Sequence, residues 1–425
     1  MRYRRHILTR KEIIIASLGN IIEWFDFGLF IFMAPIIGAK FFPQESETVL
    51  TLRALIVFAA GFICRPLGGI FFGYLGDTNG RKRTLRISIL TIMISTLLIG
   101  IMPSYQEIGY LSTIIFILLR LIQGFSIGGE YSGVIIYLAE SAPDNKRGFI
   151  TSFAATGANL GFLLATLTLT IINIIFTPEA ISDWAWRLPF FFIGLPGTLI
   201  IYYRFKLSET RVYCNLKKNH QIKSMPLLSA IQLVPYQLLK IVGLTCMGTT
   251  FYYFFVGYMP TYLKHYGMLS SLSVLTMQSC LLIAMLFMVP FAGICGDYFS
   301  RKKMLIITSI LIILLIFPCF YILQSKSILL VVLSLFAITL LSSLEQGNTL
   351  TAVVENCPEN VRYSGIAFSY NLGSALFGGT TPLIFALLTE NVSFIAPAYY
   401  LFLMAGISLF TATRLIKNNK TLGPI

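Results

Sequence analysis

Twelve apolar runs, each about 20 residues long or longer, leave this chain few ways to fold. They lie near residues 13–38, 53–75, 87–104, 110–138, 150–176, 186–205, 236–263, 271–293, 304–323, 327–352, 363–389 and 393–415. A helix of about 20 apolar residues crosses a bilayer's hydrocarbon core, where every backbone polar group must be bonded within the protein. A membrane strand needs only about 9–11 residues, fewer than these runs hold. The composition agrees, with 12% charged residues against about 25% in soluble domains. The sequence predicts an all-α polytopic membrane protein with twelve transmembrane helices and the lipid bilayer as its surroundings.

In a soluble protein a net charge of +14 would point to nucleic acid. Here the basic residues gather in alternate loops instead. Arg2, Arg4, Arg5, Arg10 and Lys11 precede the first run, and Arg81, Lys82, Arg83 and Arg86 follow the second. Arg204, Lys206, Arg211, Lys217, Lys218 and Lys223 follow the sixth, and Arg301, Lys302 and Lys303 the eighth. The positive-inside rule makes both termini cytoplasmic in a bacterial-type inner membrane, and no nucleic-acid partner is expected. Seven scattered cysteines without a CxxC pattern support neither a metal site nor a disulfide framework. The three histidines, at 6, 220 and 265, are isolated, and no Walker sequence marks ATP hydrolysis, so an enzyme is not expected.

The chain repeats itself. Gly73-Tyr-Leu-Gly-Asp77-Thr-Asn-Gly80-Arg81-Lys82 returns as Gly293-Ile-Cys-Gly-Asp297-Tyr-Phe-Ser300-Arg301-Lys302. Glu140-x-x-Pro143-x-x-x-Arg147 returns as Glu355-x-x-Pro358-x-x-x-Arg362. Two motifs duplicated in one order imply two six-helix bundles, residues 1–206 and 236–425, joined by a cytoplasmic linker at 207–235. Repeat folds of this kind bind substrate at the midplane between their halves.

GYLGDTNGRK resembles the loop signature of the major facilitator superfamily, Gly-x-x-x-Asp-(Arg/Lys)-x-Gly-Arg-(Arg/Lys), with Thr78 in place of the usual basic residue and Ser300 in place of the second copy's glycine. The segments SLGNIIEWFDFG (17–28), ICRPLGGIFFG (63–73), RLIQGFSIGGEYSG (120–133), WAWRLPFF (184–191), YMPTYL (258–263) and RYSGIAFSYN (362–371) are similar to the metabolite–proton symporter branch, most of all to its proline/betaine transporters. The resemblance implies the major facilitator fold and proton-coupled uptake of a small zwitterionic osmolyte by alternating access. It implies no cofactor beyond the proton as coupling ion. A proton-coupled importer of 2-oxoglutarate or citrate is the second reading, and a non-transporting receptor on a carrier fold the third.

Within that frame Glu23 and Asp26 are the candidates for proton coupling. Glu23 lies about 15 Å into the first span, and i,i+3 spacing puts both acids on one face. Two close carboxylates in low dielectric do not both carry charge comfortably, which suits a proton carrier; the alternative is a structural pair with a buried arginine. Arg120, at mid-depth in the fourth span, is the candidate for a substrate carboxylate, with Gln123 and Tyr131 on its side and Trp24 beside the acids. Its alternative is likewise a permanent ion pair. Glu130 is expected to pair with a basic loop residue, Arg65 to snorkel or pair, and Glu345, Gln346 and Asn348 to form a hydrogen-bond network. Gly73, Asp77, Gly80, Arg81, Glu140 and Arg147, with Asp297, Arg301, Glu355 and Arg362, are read as a conformational latch whose charge pairs close the cytoplasmic side. No metal ligand set is expected. The protein is expected to work as a monomer.

Overall fold

In a computed structural model the chain is described over residues 10–266 and 271–415. Arg2, Arg4, Arg5 and His6, and with them the expectations for the two termini, lie outside the described residues. Among those described, twelve helices are long and apolar enough to cross a membrane. They are α1 (Lys11–Phe41), α2 (Ala59–Thr78), α3 (Arg81–Ile101), α4 (Tyr110–Ser141), α5 (Asp144–Ile175), α6 (Ala185–Phe205), α7 (Pro235–Lys264), α8 (Ser273–Phe299), α9 (Arg301–Ile322), α10 (Ile328–Glu355), α11 (Glu359–Asn391) and α12 (Ala396–Arg414). Each matches one expected span. The starts of α3 and α9 come earlier than expected, at Arg81 and Arg301. Gly80 and Ser300 stand there as N-caps with φ of 104° and 87°, so Arg81 and Arg301 belong to helices, not to loops. Left-handed backbone suits glycine; at Ser300 the hydroxyl compensates by accepting the Lys303 N–H at 3.3 Å.

The two bundles pack alike. α1 lies on α5, α2 on α4, and α3 on α4 and α6; correspondingly α7 lies on α11, α8 on α10, and α9 on α10 and α12. Two junctions join the bundles, α2 against α11 and α5 against α8. Glycine makes both possible. A Cβ on Gly148 of α5 would fall 2.5 Å from the Gly293 carbonyl oxygen of α8, and one on Gly73 of α2 would fall 2.7 Å from Ser364 Cα of α11. Gly68 and Gly128 likewise let α2 and α4 meet backbone to backbone. Outward faces carry exposed Ile63, Phe71, Phe287 and Phe291, as a lipid-facing surface requires.

Arg204, counted from the sequence with the basic linker, sits in the last turn of α6 and is fully buried. It pairs with Glu130 at 2.6 Å and donates to the carbonyls of Leu85 and Ala16, tying α1, α3, α4 and α6 together. Glu130 also accepts from Ser88 at 2.6 Å. Two short helices, Arg211–Lys218 and Pro226–Leu233, lie between α6 and α7 at the end of the molecule that carries the basic segments.

Candidate functional site

A cavity of about 30 Å³ lies between the bundles, space for roughly two water molecules. Trp24 of α1, Arg65 of α2 and Tyr131 of α4 line it from one side, and Tyr252 and Tyr253 of α7 and Tyr370 of α11 from the other. Trp24 meets Tyr252 edge-on at 5.1 Å and Tyr131 at 5.5 Å, while Tyr131 meets Tyr370 at 5.5 Å. The rings form a box, and its polar atoms are only partly satisfied. The Trp24 indole N–H and the Tyr252 hydroxyl are buried without a hydrogen-bond partner among the described residues.

Arg65 is the cation of this box. It is 2% exposed, donates from Nη1 to the Tyr253 hydroxyl at 3.0 Å and from Nε to Asn371 Oδ1 at 3.3 Å, and lies over the Phe62 ring. Among the described residues no carboxylate stands within ion-pair distance of it. Two causes turn it inward: the glycines at 68 and 69 draw α2 against α4 and α11, and Asn371, anchored to the Gly128 carbonyl at 2.8 Å, waits on the facing helix. Buried guanidinium without an acid is a costly arrangement that a bound carboxylate relieves.

Glu23 is 1% exposed, and neither of its oxygens has a hydrogen-bond partner among the described residues.

Asp26 belongs to a different constellation. It accepts from Arg120 Nη1 at 3.1 Å, Thr96 Oγ1 at 2.9 Å and Gln123 Nε2 at 3.2 Å. Arg120 also donates to Gln123 Oε1 at 2.7 Å and stacks over Phe30 at 3.9 Å. Both partners are buried, and neither Arg120 nor Gln123 lines the cavity. Of the six residues that the sequence groups around coupling and substrate, the structure thus brings Trp24 and Tyr131 to the cavity wall with Glu23 adjoining Trp24 in α1, and gathers Asp26, Arg120 and Gln123 into a separate braced triad.

The duplicated motifs converge at the basic end. Asp77 accepts the backbone N–H groups of Tyr363 and Ser364 at 3.1 and 2.9 Å, capping the first turn of α11 across the junction. Asp297 accepts those of Gly148 and Phe149 at 2.7 and 2.9 Å, doing the same for α5. Arg81 and Arg301 pair with these aspartates at 3.3 and 2.6 Å. Glu140 stands between Arg81 at 3.2 Å and Arg362 at 3.1 Å, and Glu355 between Arg301 at 3.4 Å and Arg147 at 3.5 Å. Each glutamate therefore holds one arginine of its own bundle and one of the other. Gly80 turns the chain into α3 beside this cluster.

Several residues of these sites carry little signal in the sequence. Tyr252 and Tyr253 hide in an FYYFF run, Tyr370 closes RYSGIAFSY, and Arg65 has the look of a snorkelling side chain beside Pro66. Glu209 belongs to neither repeated motif. It accepts from the backbone N–H of Arg81 and of Lys82 at 3.1 and 3.2 Å, so the segment after α6 caps α3. Burial pushes the Glu209 carboxyl up, against the pull of the Thr210 and Lys82 amides. An acid just after a span's last basic turn is the only trace of this role in the sequence.

The model for the Major Facilitator Superfamily matches residues 16–381. The glycine betaine/proline/ectoine/pipecolic acid transporter of Dickeya dadantii (strain 3937) is 37% identical over 413 residues, covering 95% of this chain and 82% of that protein. The proline/betaine transporter of Escherichia coli (strain K12) is 36% identical with the same coverage. Among solved structures, the proton:xylose symporter bound to 6-bromo-6-deoxy-D-glucose superimposes with a TM-score of 0.75 at 18% identity, covering 95% of this chain and 94% of that one. The human organic anion transporter MFSD10 gives a TM-score of 0.67 at 15% identity, covering 95% and 99%. With two bundles of six helices, a duplicated charged junction and a family match over most of its length, the chain belongs to the major facilitator superfamily.

Proposed function

We propose that the protein is a secondary active transporter that takes up a small zwitterionic osmolyte, proline or glycine betaine, together with protons. It is a carrier, not an enzyme. The observation that carries the substrate class is Arg65, a buried guanidinium with no carboxylate partner among the described residues, set in a box of tryptophan and tyrosine rings. A zwitterion matches both features. Its carboxylate takes the planar donors of Arg65, and its ammonium faces ring quadrupoles that attract cations by about 0.5–2 kcal/mol each. Citrate or 2-oxoglutarate brings at least two negative charges and would want a second cation. Arg120, the other buried arginine at this depth, is engaged by Asp26.

Glu23 serves as the proton carrier in this reading, since an ionised carboxylate with no hydrogen-bond donor in the interior costs several kcal/mol. The basic end works as the latch, holding the bundles together there while the cavity is served from the opposite side. That end and both termini face the cytoplasm of a bacterial inner membrane, following the rule for basic loops. One chain supplies both halves of the cavity, which supports a monomer as the working unit.

Uptake of radiolabelled glycine betaine, proline, citrate and 2-oxoglutarate into proteoliposomes, with and without an inward proton gradient, tests the reading. Gradient-driven accumulation of betaine or proline is expected. Accumulation of the di- and tricarboxylates alone would overturn it, and binding without uptake of any of the four would favour a receptor.

A further inference from the structure

Glu345 of α10 is fully buried, and among the described residues it makes no ion pair. Oε1 accepts the Thr349 hydroxyl one turn along the helix at 2.8 Å, and Oε2 has no partner among the described residues. The helices packed against α10 carry their charges elsewhere. Asp297 of α8, Arg301 of α9, Arg147 of α5 and Arg362 of α11 are all at the basic end, in the pairs described above, and Lys240 lies a turn and a half into α7. Arg120 and Glu130 of α4 are taken by Asp26 and Arg204. The titratable group that faces Glu345 from α7 is the Cys246 thiol; the Tyr252 and Tyr253 rings of the same helix line the cavity.

The carboxyl is nevertheless next to the cavity. Thr349 and Gly248 both line the cavity wall. A Cβ at position 248 would lie 3.9 Å from Glu345 Oε1 and 3.8 Å from Thr349 Cγ2, so the bare glycine is a window between them. The following residue, Gln346, accepts from Asn159 of the opposite bundle at 3.4 Å.

We propose that Glu345 is a second proton-binding group, lodged in the second bundle and reached from the cavity past Gly248. The inference rests on the transport reading. A methylated nitrogen is too large for the window, but a proton needs only the Thr349 hydroxyl or one water as a bridge. Loading forms an O–H bond at Oε2 with a proton delivered by cavity water, and unloading breaks the same bond and returns the proton to water; nothing is oxidised or reduced. Neutralisation removes an unpaired buried charge, which the low-dielectric interior disfavours. One acid then serves each bundle, Glu23 in the first and Glu345 in the second, and the backbone that carries Glu345 also carries the Gln346 bond to the first bundle.

The full-length protein, reconstituted in lipid, is titrated from acid to alkali while infrared difference spectra follow the carbonyl stretch of protonated carboxyls. One titrating band should vanish in Glu345→Gln and persist in Glu23→Gln. Pyranine-loaded vesicles should record one proton fewer per glycine betaine in Glu345→Gln than in wild type, with Glu345→Asp restoring it. Gly248→Ala, whose Cβ has room, should slow deuterium exchange of the same band. An unchanged set of bands in Glu345→Gln, or an unchanged exchange rate in Gly248→Ala where Glu345→Gln does not insert, overturns the proposal. Failure of the wild type to move betaine would sink the transport reading instead, since the infrared titration needs no substrate.

Discussion

At the scale of single residues, the two mid-depth arginines have opposite fates, and that difference sets what each substitution should do. Arg65 has donors to spare, so Arg65→Lys should leave the fold intact while weakening glycine betaine binding about tenfold, near the low end of the 1.5–3 kcal/mol carried by a hydrogen bond to a charged group. Tryptophan fluorescence or isothermal titration of the purified protein reads this directly; unaltered affinity would remove Arg65 from the site. Arg120 is committed to Asp26. Asp26→Asn strands a buried guanidinium and should cost about 3–5 kcal/mol of stability, much of it recovered in the Asp26→Asn, Arg120→Gln pair. Thermal unfolding in detergent checks that recovery, and equal losses in the single and double variants would deny the coupling. Sequence alone could not separate the two arginines. Depth is legible from residue counting, but which way a helix face turns depends on its neighbours, and Arg65 is turned inward by glycine contacts with α4 and α11 that no local pattern announces.

At the scale of helices, nearly all of the architecture was legible, because a bilayer admits so few alternatives to a run of about 20 apolar residues. What hydropathy misplaced were helix ends. α3 and α9 start on basic residues, Arg81 and Arg301, whose first turns are fixed by Gly80, Ser300 and the Glu209 carboxylate, all polar features to which an apolar window is blind. The cross-junction caps were legible only as motifs: the repeat picks out Asp77 and Asp297 but not the backbone amides they accept. A cap contributes about 0.5–2 kcal/mol. Asp77→Ala or Asp297→Ala should therefore shift the balance between the states closed and open at the basic end by about two- to thirty-fold, and the double variant by roughly the product. Spin-label distances across the α2–α11 and α5–α8 junctions measure those populations. No change in either single variant would reduce the aspartates to local packing.

For the whole molecule, orientation in the membrane is the first thing to establish. In a cysteine-free background, Asn219→Cys should resist an impermeant thiol reagent added outside cells, whereas Lys264→Cys, exposed at the other end of α7, should react; the reverse pattern would invert the topology. The shared glutamates of the basic end carry a consequence that neither bundle shows alone. Were the bundles to part there, Glu140 would keep Arg81 and Glu355 would keep Arg301. The side chains that lose their cross-bundle acid would be Arg362 and Arg147, and each keeps one of its own bundle, Glu359 and Asp144. No acid is stranded in either state, so no proton has to be gained or shed for this end to move. Bulk acidity on that side can alter how many protons are on offer to the interior, yet it has no grip on the hinge itself: the fuel line and the door are chemically insulated from each other.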